Sequence, residues 1–196
     1  MLKTFVAIII CCCAVFGFYL LKTKTYAPGI LIPAEPLQAP VQAETAVFEK
    51  SGFTLHPLVS YSIDARLLHK KRYYSDPGAA IAPFDFAVGW GSMSDQTVLD
   101  RLTISQGNRF FWQYQTAPPI PVNEIISHAS NMHLIPASFR VRTQLWWVRA
   151  GDLVRLRGYL VEADAPGRPP WRSSLSRTDT GNGACELMWV ESVQKL

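Results

Sequence analysis

The chain has 196 residues, a net charge of +4 and 48% hydrophobic residues. That length holds one domain with a real core plus a tether, and that composition excludes a disordered chain. The charge is too small to demand a nucleic-acid partner.

The first element is the run FVAIIICCCAVFGFYLL, Phe5 to Leu21, which carries no charge. As a helix it spans about 26 Å, enough to cross a bilayer core with little tilt. Lys3 precedes it and Lys22 and Lys24 follow it, so flanking charge leaves the orientation open. Pro28, just after Thr25-Tyr26-Ala27, disfavours cleavage there, and Ile10 is not the small residue a lipoprotein signal needs before Cys11. The expectation is an uncleaved anchor over residues 1–26, with the lipid bilayer as partner through residues 5–21. Cys11, Cys12 and Cys13 read as small hydrophobes within it.

Residues 27–51 carry prolines at 28, 33, 36 and 40. Proline fixes φ and removes donors, so this stretch predicts an extended, semi-rigid spacer that holds the domain off the bilayer.

The globular domain covers residues 52–196. Tyr61, Ile63, Ala65 and Leu67 alternate with polar positions and predict a strand. Asp76-Pro77-Gly78 is a turn, and Phe84–Val88 is a short strand. Ser94 is placed to cap a helix over Asp95–Leu102. Arg109–Tyr114 reads as a buried strand, prolines 118, 119 and 121 break the chain, and Asn123–Ser127 makes one helical turn. Ser138 is placed to cap a helix over Phe139–Val148. Leu153–Ala163 is the clearest strand, with Gly158 marking a bend or bulge. Trp171–Arg177 and Cys185–Val193 close the series around the loop Thr178–Ala184. The sum is an α+β, mostly β domain: a small, curved antiparallel barrel, OB-like or SH3-like, with short helices and one preceding transmembrane helix.

Three blocks carry a resemblance: FDFAVGWGSMSD from Phe84, HASNMHLIPA from His128, and SSLSRTDTGNGACE from Ser173. Together they resemble a family of bacterial proteins with an N-terminal membrane anchor and no assigned function. The resemblance spans roughly residues 60–193 and implies a bacterial envelope origin; the location expected with the anchor is the bacterial inner membrane, single-pass, with the domain periplasmic. It implies no chemistry.

Four constellations are chemically suggestive. His128 and His133 stand five apart, a spacing that places them on one face of neither a helix nor a strand. A shared metal is awkward there, and no metal or cofactor is expected. Cys185 is the one cysteine beyond the apolar run and follows the glycine-bearing loop Thr180–Ala184. Paired with His128 or His133 it has the parts of a thiol nucleophile, and the loop amides have those of an oxyanion site; a buried structural cysteine is the plainer reading. Ser173–Gly183 is dense in hydroxyls, with Arg177 and Asp179 suited to a polar ligand. Finally, Arg140, Arg142, Arg149, Arg155, Arg157, Arg168, Arg172 and Arg177 are interleaved with Trp146, Trp147, Tyr159 and Trp171, a mixture suited to nucleic acid, lipid headgroups or another anionic polymer.

No nucleotide-binding fingerprint, HExxH or serine elbow is present. The sequence therefore favours a membrane-anchored binding or accessory module of the envelope, with ligand contacts at His128, Asn131, Arg177 and Asp179. An envelope protein or anionic polymer is the expected partner. The alternatives are a Cys- or metal-dependent hydrolase or transferase using Cys185 with His128 or His133, and a nucleic-acid-binding barrel, which requires a cytoplasmic domain.

Overall fold

The alternation that begins at Phe53 runs on as one strand, β3 (Phe53–Arg72), 20 residues long, and the other strands are arranged around it. The computed structural model describes residues 23–196 except 43, 115 and 116, together with Phe5, Cys11 and Gly17; the side chains of Trp112 and Tyr114 are also outside that description. The expected anchor, Phe5–Leu21, apart from those three residues, therefore lies outside the described residues. Among them, no helix is long and apolar enough to cross a membrane.

Before β3 come β1 (Leu37–Pro40) and β2 (Phe48–Lys50). After it come β4 (Phe84–Gly89), a 3-10 turn (Gly91–Ser94), α1 (Gln96–Leu99), β5 (Thr103–Gly107), β6 (Phe110–Tyr114) and α2 (Val122–Ser127). Then follow β7 (Ala129–Pro136), α3 (Phe139–Trp147), β8 (Leu153–Asp164), β9 (Trp171–Arg172) and β10 (Glu186–Lys195). The chain is mostly β with few short helices.

β3 pairs with β8 along one edge and with β2, β1 and β4 in turn along the other. The ring β3–β4–β7–β10–β8 thus closes back on β3. One of its pairings, β10 with β7, is parallel, which corrects the expectation of a purely antiparallel sheet. The chain leaves β7, crosses through α3, lays down β8, and brings β10 back between β8 and β7, running in the direction of β7. Three ladder irregularities, near Pro57, Leu67 and Val190, supply the curvature. Gly158 has φ +156° and sits under the carbonyl of Trp189, where a Cβ would lie 1.9 Å from that oxygen. The irregularity expected at Gly158 lies opposite Val190, where the β8–β10 register shifts.

The ring encloses one apolar core that includes Tyr61, Ile63, Phe84, Phe86, Met132, Leu134, Leu156 and Met188. A second cluster, with Leu55, Ile135, Val161 and Leu187, covers the outer face of the sheet. A third, Met93, Val98 and Ile125, lies under α1 and α2.

Several local expectations change. The helix expected over Asp95–Leu102 is shortened to α1, and its cap is Asp95, whose carboxylate accepts from the Thr97 N–H. Ser94 instead accepts the backbone N–H groups of Leu31 and Ile32, each at 3.0 Å. β6 belongs to a separate two-stranded sheet with β5. The expected strand Trp171–Arg177 ends at Arg172. The proline-rich stretch is extended, as its prolines dictate, but it is laid along the domain. Ile32 is buried, β1 adds an edge to β3, and Tyr26, Gly29, Leu31 and Ile32 donate to side chains of Ser94–Gln96.

Candidate active site

β4 is buried along its whole length. Phe84, Phe86 and Val88 enter the ring interior, so the intervening Asp85 points to the opposite face of the sheet. β7 alternates likewise: Met132 and Leu134 face inward, Asn131 and His133 outward. The register sets Asp85 opposite His133 and Ala87 opposite Asn131. On the other flank of β7, the parallel pairing sets Leu187 opposite His133 and Glu186 opposite Met132. Cys185, just before β10, therefore enters the same outer row as Asn131 and His133.

The contacts in that row are specific. His133 Nδ1 lies 2.8 Å from Asp85 Oδ1. The Cys185 thiol lies in the same row and donates to the Arg109 carbonyl at 3.7 Å. Burial disfavours charge on His133, but the hydrogen bonds and negative charge of Asp85 and Cys185 outweigh it and push its pKa up from 6.5 to about 9. Asn131 Nδ2 donates to the Cys185 sulfur at 3.5 Å and to the Arg109 carbonyl at 3.0 Å. Its Oδ1 accepts from Gln106 Nε2 at 2.5 Å, and Gln106 Oε1 meets His69 Nδ1 at 2.9 Å. The ring of Trp171 covers His133, centroid to centroid at 5.0 Å.

Arg109 organises the far side. It sits at a two-residue hairpin turn between β5 and β6, where Asn108 has φ +49° and Arg109 φ +66°. Such a turn prefers glycine at the second position, and an arginine there is strained. Its contacts hold it in place. The guanidinium binds both oxygens of Asp76, Asp85 Oδ1 at 2.8 Å and the Ala82 carbonyl at 2.8 Å. It also packs on the ring of Tyr73 at 3.8 Å, and the Arg109 N–H donates to the Tyr73 hydroxyl. Asp85 is thus shared between a guanidinium and an imidazole.

Cys185 opens onto a cleft of about 200 Å³, lined by Phe110, Ile125, Ile126, Ala129, Asn131 and Asp179 among others, with Gly181 and Ala184 at the lip. The thiol is half-buried and forms no disulfide. A thiol just before β10, an imidazole on β7 and a carboxylate on β4 thus share one face beside an open cleft, and these are group types that covalent acyl transfer can use. No family model, no curated protein and no solved structure matches the chain. The site is therefore read from its own geometry.

Of the residues singled out in the sequence, Cys185, His133 and Asn131 come together, and Asp179 joins them at the cleft wall. His128 does not. It ends α2, turns Nδ1 to the Glu124 carbonyl at 2.9 Å, and packs under Gly91, where a Cβ would lie 2.3 Å from its ring. The pairing of Cys185 with His128 is thereby corrected, because α2 points that ring away from β10. Arg177 is turned into the protein, ion-paired with Glu186 and donating to the Tyr61 hydroxyl at 3.0 Å. Glu186 also accepts from Ser130, and burial raises its pKa against the pull of Arg177. Asp179 accepts from Ser174 at 2.6 Å, and Ser173 receives the Leu187 N–H, so two of the hydroxyls in that loop fix its own shape. Among the described residues, no group of three or more His, Cys, Asp or Glu is set to hold a metal ion. Within the arginine set, Arg155, Arg172 and Arg177 are paired with carboxylates.

Asp85 and Arg109 escaped the sequence reading. Asp85 had a signal, being one charge inside the apolar run Phe84–Val88, where a carboxylate is kept only with partners. Arg109 had none, since a turn arginine is ordinary until its φ is known.

Proposed function

We propose that the domain is a cysteine-dependent hydrolase or transferase acting on a small acyl group, with Cys185 as nucleophile, His133 as base and Asp85 as the group that orients His133. The observation that carries this is the His133–Asp85 hydrogen bond in one outer row with Cys185, whose sulfur opens onto a cleft. His133 donates its Nδ1 hydrogen to Asp85; with a pKa of about 9 it is mainly imidazolium at neutral pH, and its neutral fraction takes the thiol proton on Nε2. The sulfur then attacks the carbonyl carbon of an ester, thioester or amide, forming a C–S bond and placing negative charge on the carbonyl oxygen. Asn131 Nδ2, already directed at the sulfur, is the side-chain donor for that charge. Collapse breaks the bond to the leaving group, which takes the proton back from His133. Water or a second acceptor, deprotonated by His133, then releases the acyl group from sulfur. The apolar walls, Phe110, Ile125, Ile126 and Ala129, suit a short apolar acyl chain.

The ring order, with α3 between its third and fourth strands, supports reading the barrel as OB-like. The apolar run Phe5–Leu21 and the resemblance to anchored bacterial proteins support an envelope location on a membrane. A pure binding role leaves the buried imidazole–carboxylate pair beside an accessible thiol without a task, so catalysis is the reading preferred over the binding module.

The test is acylation of the full chain by p-nitrophenyl acetate, followed as a nitrophenolate burst and located by peptide mass spectrometry. The expected result is one acetyl group on Cys185, absent in Cys185→Ser and slowed at least tenfold in the folded Asp85→Asn variant. A wild-type chain that leaves Cys185 unmodified, or an unchanged rate in Asp85→Asn, overturns the assignment.

A further inference from the structure

We propose that the exposed face of α3 is a membrane-docking surface that lays the domain directly on an anionic bilayer. This rests on the reading of Phe5–Leu21 as an anchor and adds to it the face presented to the lipid.

Two observations converge. The first is where the chain comes in. The Lys24 N–H donates to the Ala150 carbonyl at 3.0 Å, and Arg66 reaches the Lys24 carbonyl. Gly151, at φ +88°, lets the Lys24 backbone pass so close that a Cβ would sit 2.0 Å from its oxygen. The apolar run ends at Leu21, three residues earlier, and three extended residues span about 10 Å at most. Lipid that receives Leu21 must therefore come within about that distance of Lys24, which is tied to Ala150 in the turn three residues after α3. The proline-rich stretch gives no reach beyond it, because the chain is already tied to the domain at Lys24.

The second is what α3 exposes there. Val141 and Leu145 are buried against the barrel, and away from them Phe139 is 84% and Trp147 53% exposed, with Trp146, 44% exposed, lying beneath the Arg72 guanidinium. Arg140 and Arg142, both exposed, flank this aromatic stripe, and Lys22 and Lys24 lie in the chain leading to it. Large exposed aromatics are uncommon on a surface that meets only water, whereas aromatics beside arginines suit the headgroup layer of anionic lipid. Charge and position thus select the lipid surface over a neutral protein partner.

The chain lends itself to a direct test. Its six tryptophans all follow residue 89, and none lies in the apolar run. The full chain is reconstituted into vesicles of phosphatidylethanolamine and phosphatidylglycerol whose acyl chains carry bromine near the carboxyl end. Expected is bromine-dependent quenching of tryptophan emission that is lost in the Trp146→Phe/Trp147→Phe double variant. The Arg140→Gln/Arg142→Gln variant should weaken it, most at low salt. A chain that floats with the vesicles yet shows no quenching overturns the docking while leaving the anchor intact. Quenching that survives the double variant puts the contact elsewhere and also overturns it, as does cross-linking of two copies through α3 without quenching. A chain that does not float removes the anchor itself, and the proposal with it.

Discussion

The carbonyl oxygen of Arg109 lies 3.7 Å from the sulfur of Cys185, while its guanidinium lies 2.8 Å from Asp85. One turn residue therefore touches both ends of the Cys185–His133–Asp85 row, and its backbone is held at φ +66° to do so. Strain of that kind persists where the surroundings over-determine it.

The first prediction follows from that turn. Arg109→Gly relieves the backbone but strips Asp85 of its guanidinium, and should cost on the order of 3 kcal/mol of stability, as breaking a buried pair does. It should also abolish the acylation burst. Asn108→Gly, one residue away and outside those contacts, should change stability by less than about 0.5 kcal/mol and keep the burst. Urea unfolding and nitrophenolate release on the pair check both statements.

The second concerns pH. His133 has its folded pKa raised from 6.5 to about 9, so its contribution is fully present below pH 6.5 and is lost as pH rises through about 9. A rise of that size corresponds to about 3 kcal/mol. Lys70 acts in the opposite sense. Burial lowers its pKa from 10.5 to about 8, so stability recovers above about pH 8. Denaturant midpoints should therefore fall from pH 6.5 to 8, and His133→Gln should flatten that slope. An equal slope in both chains removes the assignment of the ion pair to His133.

The third separates the two histidines. Gly91→Ala drives a Cβ into the His128 ring and occupies a left-handed backbone position, so it should destabilise the domain by about 1–3 kcal/mol. His128→Asn should likewise lower the unfolding midpoint yet leave the acetylation rate of Cys185 within about twofold when compared on folded protein. Loss of acylation in His128→Asn, with the fold retained, would reassign the base.

The fourth uses Asn131. Asn131→Ala removes the donor to the sulfur and leaves Gln106 Nε2 without its acceptor. A lost oxyanion donor costs about 2.7–4 kcal/mol in the barrier, a drop of about 10²–10³ in rate. Single-turnover rates should fall in that range while alkylation of Cys185 by iodoacetamide persists.

Much of the barrel was legible because its signals are local. The alternation at Tyr61–Leu67, the run Leu153–Ala163 and the cap at Ser138 each follow from backbone geometry within a few residues. The parallel contact of β10 with β7 was not legible, since register between distant strands leaves no trace in either one. That contact alone brings Cys185 to His133, so the sequence offered the parts of the site without their assembly. β7 itself was hidden by its composition, as Ala129–His133 holds Ser, Asn and His where a strand usually carries branched apolar residues. Those polar groups are present because the strand serves the cleft on one face and the core on the other.

β3 carries a kinetic consequence. Its stretch from Thr54 to Arg66 pairs with β8, so that Thr54 meets Asp164 across most of the domain. Until β8 has emerged and found it, no ring exists and β3 exposes an unpaired edge. Closure over so long a loop belongs to the slow class of folding steps, milliseconds to seconds. During that interval the strand is open to pairing with other chains, and a nascent domain kept dispersed should fold in higher yield than one refolded at high concentration.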